Sequence, residues 1–227
     1  SEHNGLGYSG TNSGGDLYII NSTFRNNRAG IVPSSGSYER CYPGRENTIV
    51  GNIVHDNNNL NAPAIDTALL AHGNGIVMPG SNLNDVERNL VYNHDRTGIS
   101  AVPFPEDDAN DTLPPKSEWS KPCDPKAKVE DKDVGFYLWD ATGNRIIGNV
   151  VENSGLADLA SATIDTDNSG RTAEDLDNCF SGNTFATSAP TDIETLAPCD
   201  GTGSGDWSKG TFDLTVLIAK TPPKPAK

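Results

Sequence analysis

The chain has 227 residues, with 17 lysines and arginines against 31 aspartates and glutamates, a formal net charge of −14. That length supports one sizeable core without a second domain. The charge excludes nucleic acid, because there is no basic patch to release counterions from phosphates. It also disfavours an acidic polysaccharide unless a cation bridges the like charges.

No segment approaches the roughly 18 consecutive apolar residues of a membrane span. Ser1 reads as a mature or proteolytic start. The four cysteines contain no Cys-x-x-Cys pair, which points to two disulfides and an oxidising, extracellular setting. Three connectivities are open, and the expected one is Cys41–Cys123 with Cys179–Cys199.

Residues 1–16 are rich in Gly, Ser and Asn and show no amphipathic helix. From residue 17 an eleven-residue pattern begins, with copies at 17–27, 47–57, 84–94, 144–154 and 178–188. Its first place favours Asn, its fifth and sixth Gly-Asn, and its eleventh a small polar residue or His. The third place reads Ile19, Ile49, Val86, Ile146 and Phe180, and the eighth Phe24, Val54, Val91, Val151 and Phe185. A three-residue strand turns only its middle side chain inward, and Gly and Asn tolerate the positive φ of a corner. Strand, corner, strand repeated in this way predicts an all-β parallel solenoid. Asn would stack on Asn in hydrogen-bonded ladders at 47, 84, 144, 178 and at 52, 89, 149, 183. A third strand per coil is expected at Gly30-Ile-Val, Gly75-Ile-Val, Gly98-Ile-Ser and Gly135-Phe-Tyr-Leu.

Between the copies lie insertions at about 34–46, 58–74 (with a helical turn or two in 63–71) and 103–134, the last proline-rich and pinned by Cys123. Residues 156–160 read as a strand or helical turn, followed by an acidic loop. Residues 189–199 read as a short capping helix with Thr191 as N-cap and Glu194 three places on. The solenoid is expected over 1–199, with a strand at 211–219 and a loose tail in 200–227. A solenoid end exposes strand edges, so at the N-terminal end self-association, another chain or upstream coils are expected.

The rhythm Gly-Ile … Asn-x-Ile-x-Gly-Asn-x-Val-x-x-Asn resembles the right-handed parallel β-helix repeat of pectate-lyase-like proteins. The runs at 149–160 and 178–185, with 188–190 and 197–199, are similar to a secreted bacterial subset of that group without a defined activity. The resemblance covers about residues 5–200 and implies right-handed winding. It leaves the chemistry open, since this fold hosts lyases, hydrolases, epimerases and non-catalytic surface proteins.

Four groups of residues are candidates for function. The ninth place, Arg25, His55, Tyr92 and Glu152, forms an outward row, which with Asp56, His94 and Asp95 just beyond could hold an acid/base pair in a sugar-binding groove. Arg25, His55, Asp56, His94 and Asp95 are the catalytic candidates; Tyr92 and Glu152 would touch sugar. The plain alternative is a solvated polar face. The seventh place, Ile53, Leu90 and Val150, is an outward apolar row expected to lie under the 58–74 or 103–134 insertion. Trp119, Tyr137 and Trp139 are aromatic platforms for sugar rings, or seals of the insertions. Asp165, Asp167 and Ser169 before Gly170 copy the start of a calcium loop, but Leu176 stands where the closing Glu belongs. Calcium is therefore the one cofactor the sequence admits, and none is required. The functional expectation is a secreted protein that contacts a polysaccharide or cell-surface glycan, or is structural. Its rivals are a lyase, epimerase or hydrolase working along a groove, and a subunit of an extracellular assembly or adhesin.

Overall fold

A computed structural model describes residues 1–107, 109, 115–118, 120–125, 127, 135–166, 168–222 and 225. It is predominantly β, with three parallel sheets and few helices. The first sheet holds Leu6–Thr11, Ala29–Ser34, Ile76–Pro79, Thr97–Val102, Ala157–Ser161 and Ser188–Ala189 in that spatial order. The second holds Gly14–Ile20, Arg45–Val50, Asp85–Glu87, Arg145–Ile147 and Cys179–Ser181. The third holds Thr23–Arg25, Ile53–His55, Leu90–His94 and Val150–Ser154. The chain visits the sheets in the order first, second, third, and each strand pairs in parallel with the strand of the next pass.

The pattern's apolar places form the core. Ile19, Ile49, Val86, Ile146 and Phe180 are register partners down the second sheet, and all are buried. Phe24, Val54, Val91 and Val151 do the same in the third sheet. The first sheet contributes Ile31, Ile76, Ile99 and Leu159 to the same cluster. Phe185 packs against this cluster from outside the strands.

The corners follow from backbone conformation. Every fifth place has positive φ: Asn21, Gly51, Arg88, Gly148 and Gly182, between 47° and 69°. Gly supplies this freely, and Arg88 adopts it against its side chain's preference. While Ser22 after Asn21 stays exposed, Gly51, Arg88, Gly148 and Gly182 each aim the next residue inward. There Asn52 donates its backbone and side-chain N–H to Asn89 Oδ1, Asn89 does so to Asn149, and Asn149 to Asn183, all at 2.9–3.0 Å. Glu194 ends the row by accepting both donors of Asn183. The other predicted ladder runs from Asn47 through Asn84 and Asn144 to Asn178 at 2.6–3.0 Å. Leu17 holds the equivalent place in the preceding copy, so no amide there reaches Asn47 Oδ1, which lacks a partner among the described residues.

Several expectations need correction. Residues 1–16, where no individual strand is expected, hold Leu6–Thr11 and the start of Gly14–Ile20, which pair with the next strands despite their glycines. Phe136–Trp139 does not join a parallel sheet but pairs antiparallel with Phe104–Asp107. The strand expected at 211–219 is instead the helix Leu214–Ala219, because the Asp213 carboxylate caps Thr215 and Val216 N–H and leucines recur at helical spacing. The short helix near residue 193 spans Ile193–Leu196, with Asp192 rather than Thr191 as N-cap. The helical turn in the second insertion is Asp66–Leu70, and residues 157–161 form a strand of the first sheet. Both disulfides, Cys41–Cys123 and Cys179–Cys199, are present as paired above. Among the described residues no helix is long and apolar enough to cross a membrane.

Asn144→Ala should strand the buried donors of Asn84, at a cost of about 2–3 kcal/mol. Thermal unfolding followed by circular dichroism should show a Tm loss of about 5–10 °C. Glu152→Ala on the outer surface should stay within about 2 °C; equal shifts would contradict the ladder's role.

Candidate functional site

The outer face of the third sheet carries two registered rows. One is Thr23, Ile53, Leu90 and Val150; the other is Arg25, His55, Tyr92 and Glu152. Side chains alternate across a strand, so these rows point out because Phe24, Val54, Val91 and Val151 point in. Neighbouring rungs are about 4.8 Å apart. The apolar row is not buried under an insertion, contrary to expectation. Ile53 is 41% exposed and Leu90 37%, because the helix of the 58–74 segment instead lies among residues bordering the first sheet.

In the polar row the His55 and Tyr92 rings stack with centroids 4.8 Å apart and planes 7° from parallel. His55 Nδ1 lies 2.6 Å from Asp56 Oδ2. Asn93 donates to Asp56 Oδ1 at 3.1 Å, and Asn153 donates to Asn93 Oδ1 at 2.7 Å. Burial pushes the Asp56 carboxyl up, but His55 and Asn93 more than offset that and hold it below its ordinary value. Arg25 donates to Glu2 at 2.8 Å in an exposed pair, so its charge is matched locally.

Asn93 and Asn153 were missed from the sequence. They occupy the tenth place, which in the first four copies reads Asn26, Asp56, Asn93, Asn153, all with φ between 53° and 60°. Asn and Asp adopt this left-handed conformation more readily than other side chains, and that run was the available signal. This third corner aligns Asp56, Asn93 and Asn153 into a polar rail beside the row.

His94 is not part of that face. Following the positive φ of Asn93, it turns inward and is 2% exposed. Its Nε2 accepts from Asn57 Nδ2 at 3.2 Å, and Asn27 donates to Asn57 in turn, so it continues a third ladder. Burial pushes its pKa down to about 3, opposed by Asp56 and assisted by His55. Asp95 stays outside on the far side of the corner, 3.9 Å from His72 Nε2. Burial, with help from Arg96 and Arg28, pushes His72 down to about 4. The proposed acid/base set is thus split: His55 and Asp56 share the outer face with Arg25, Tyr92 and Glu152, while His94 and Asp95 do not.

The aromatic candidates gather elsewhere. Trp139 is buried, donating its indole N–H to Glu106 Oε2 at 2.6 Å, with Tyr42 and Tyr137 edge-on at 5.1 and 4.5 Å. Glu106 also accepts from Ser37 N–H and Oγ, so Trp139 mainly seals an insertion. Tyr137 is half-buried. Trp119 and Asp167 lie outside the described residues. Asp165 accepts from the N–H groups of Ser169 and Gly170 and from Ser169 Oγ, closing its own loop. Among the described residues no cluster of three His, Cys, Asp or Glu could hold a metal. No protein-family model, curated protein or solved structure matches the chain.

The two depressed histidines fix a pH dependence. Above about pH 6.5 both are neutral whether folded or unfolded. Below it the unfolded chain takes up protons that the folded chain refuses, until about pH 4 for His72 and about pH 3 for His94. Each ring then removes about 1.4 kcal/mol per pH unit across its window. His94→Asn places in the ladder the residue found at Asn57, so its Tm should fall less steeply than wild type from about pH 6 to about pH 4. Equal slopes would contradict the buried, neutral His94.

Proposed function

We propose that the chain is a right-handed parallel β-helix protein acting outside the cell, which binds a neutral linear polysaccharide along the outer face of its third sheet. The coil is supported by the fixed order in which the chain visits three parallel sheets, and its right hand by the general preference of parallel crossovers and the sequence's resemblance to pectate-lyase-like repeats. Two disulfides support the extracellular setting.

The observation that carries the binding reading is the uncovered pair of rows. A pyranose has an apolar C–H face and a rim of hydroxyls. The Ile53, Leu90 and Val150 row matches the first, and His55, Tyr92, Glu152 and the Asp56–Asn93–Asn153 rail match the second. Their repeat of about 4.8 Å suits a ligand that repeats along its own length. Net charge −14 favours a neutral polymer over a polyanion.

A second reading is favoured by the 2.6 Å contact between His55 and Asp56. A carboxylate on Nδ1 fixes the imidazole so that its other nitrogen can move a proton. The row would then be the groove of a lyase, epimerase or hydrolase, with His55 as base and Asp56 orienting it.

Binding of soluble neutral polysaccharides should be measured by calorimetry with wild type, Leu90→Ala, Tyr92→Ala and, from the second sheet, Arg145→Ala. Each of the first two substitutions should weaken binding about tenfold, roughly 1.4 kcal/mol, and Arg145→Ala should not. Undiminished binding in both outer-face variants, or no binding by wild type across the panel, would refute the face. Reducing-end assays on the same panel, with unsaturated-uronate and epimerisation assays on polyuronates, decide the second reading: product formed by wild type and lost in His55→Ala supports it, and no product on any of them removes it.

A further inference from the structure

The insertions 34–46 and 103–134, and the loop after Ala157–Ser161, all leave the chain between a first-sheet strand and the next second-sheet strand. Pro43 of the first, Tyr137–Asp140 just after the second, and Ile164, Thr166 and Arg171 of the third line a cavity of 390 Å³, which the outer-face reading does not use. Its lining includes Tyr137, Trp139, Asp140, Arg171, Asn82 and Thr142.

Three features make it chemically specific. The aromatic wall is rigid, because Trp139 is pinned by Glu106 and braced by Tyr42 and Tyr137. An ion pair lies within the lining: Arg171 Nη1 is 2.8 Å from Asp140 Oδ2, with the Asp140 side chain only 10% exposed. Asp140 Oδ1 accepts from Thr163 Oγ1 at 2.7 Å, so the carboxylate is held from two sides. Finally, Thr142 N–H donates to Asn82 Oδ1 at 2.9 Å. That bond turns the amide so that its NH2 is left for a further acceptor.

We infer that this cavity binds one pyranose unit of a neutral saccharide. The volume falls in the lower part of the range for small-molecule sites. An aromatic wall suits the C–H face of a sugar ring. A carboxylate, a guanidinium and an amide around it offer one strong acceptor and several donors, which is what neighbouring hydroxyls need. A uronate or phosphate fits poorly, since Asp140 already neutralises Arg171. A wholly apolar ligand fits poorly too, because it would strip water from that ion pair and return no hydrogen bond. The ligand class is shared with the outer-face reading, but the residues are different and either site can fail without the other.

The test uses the full chain with the methyl glycosides of glucose, galactose and mannose, and methyl glucuronoside as the charged counterpart. Binding is read by saturation-transfer NMR and by the Trp139 indole N–H resonance. At least one neutral glycoside should bind and shift that resonance, with methyl glucuronoside about tenfold weaker or worse. Arg171→Ala and Tyr137→Leu should each weaken binding about tenfold, with unchanged circular dichroism; Tyr137→Leu keeps apolar bulk and serves if Arg171→Ala disturbs its loop. Leu90→Ala should leave monosaccharide binding unchanged while weakening polymer binding. The inference is overturned if no neutral glycoside binds at millimolar concentration, if the glucuronoside binds as tightly, or if binding ignores both cavity substitutions.

Discussion

A single device recurs at all three corners of this molecule: a residue of positive φ followed by one whose polar side chain turns inward. Glu46, Leu83, Gly143 and Asp177 precede Asn47, Asn84, Asn144 and Asn178. Gly51, Arg88, Gly148 and Gly182 precede Asn52, Asn89, Asn149 and Asn183. Asn26, Asp56, Asn93 and Asn153 precede Asn27, Asn57, His94 and Ser154. A corner breaks the strand ladder and would bury backbone groups without partners. The inward amide supplies what is missing: its oxygen accepts from the pass on one side, and its nitrogen donates onward. Asn89, Asn149 and Asn183, for example, also donate to the Ile49, Val86 and Ile146 carbonyls. The polar ladders thereby fix the rotation of each short strand and force its middle apolar residue into the core.

The outer face inherits that order. Because the corner before and after each third-sheet strand is locked, its two flanking side chains can only project outward, and they do so in register. The stacked rings of His55 and Tyr92 and the Asp56–Asn93–Asn153 rail are consequences of corner geometry as much as of local attraction. His94 shows the other side of the constraint. A titratable residue placed just after the positive-φ position is drawn into the ladder whatever its chemical promise, and burial suppresses its charge.

How legible this was depended on whether a residue's place was set by the repeat. Ile49, Val86, Ile146 and Phe180, the two asparagine ladders and the Arg25–His55–Tyr92–Glu152 row could be read because a fixed spacing determines them. The strand at Leu6–Thr11 escaped notice because its glycines and serine hide the alternation, and its partner supplies the apolar contacts. The helix Leu214–Ala219 lies outside the repeat, so only its Asp213 cap could have marked it. The exposure of Ile53 and Leu90 and the cavity by Tyr137 and Arg171 depend on where insertions settle, and no local spacing encodes that.

The claim on which the rest stands is that inward amides of successive passes bond to each other. A double-mutant cycle on Asn89 and Asn149, using Asn→Ala changes and equilibrium unfolding, measures that contact directly. If the ladder is real, the double variant should lose less stability than the sum of the singles, by about 1 kcal/mol or more. Losses that add to within about 0.3–0.5 kcal/mol would place the two side chains apart and contradict the stacking of the corners.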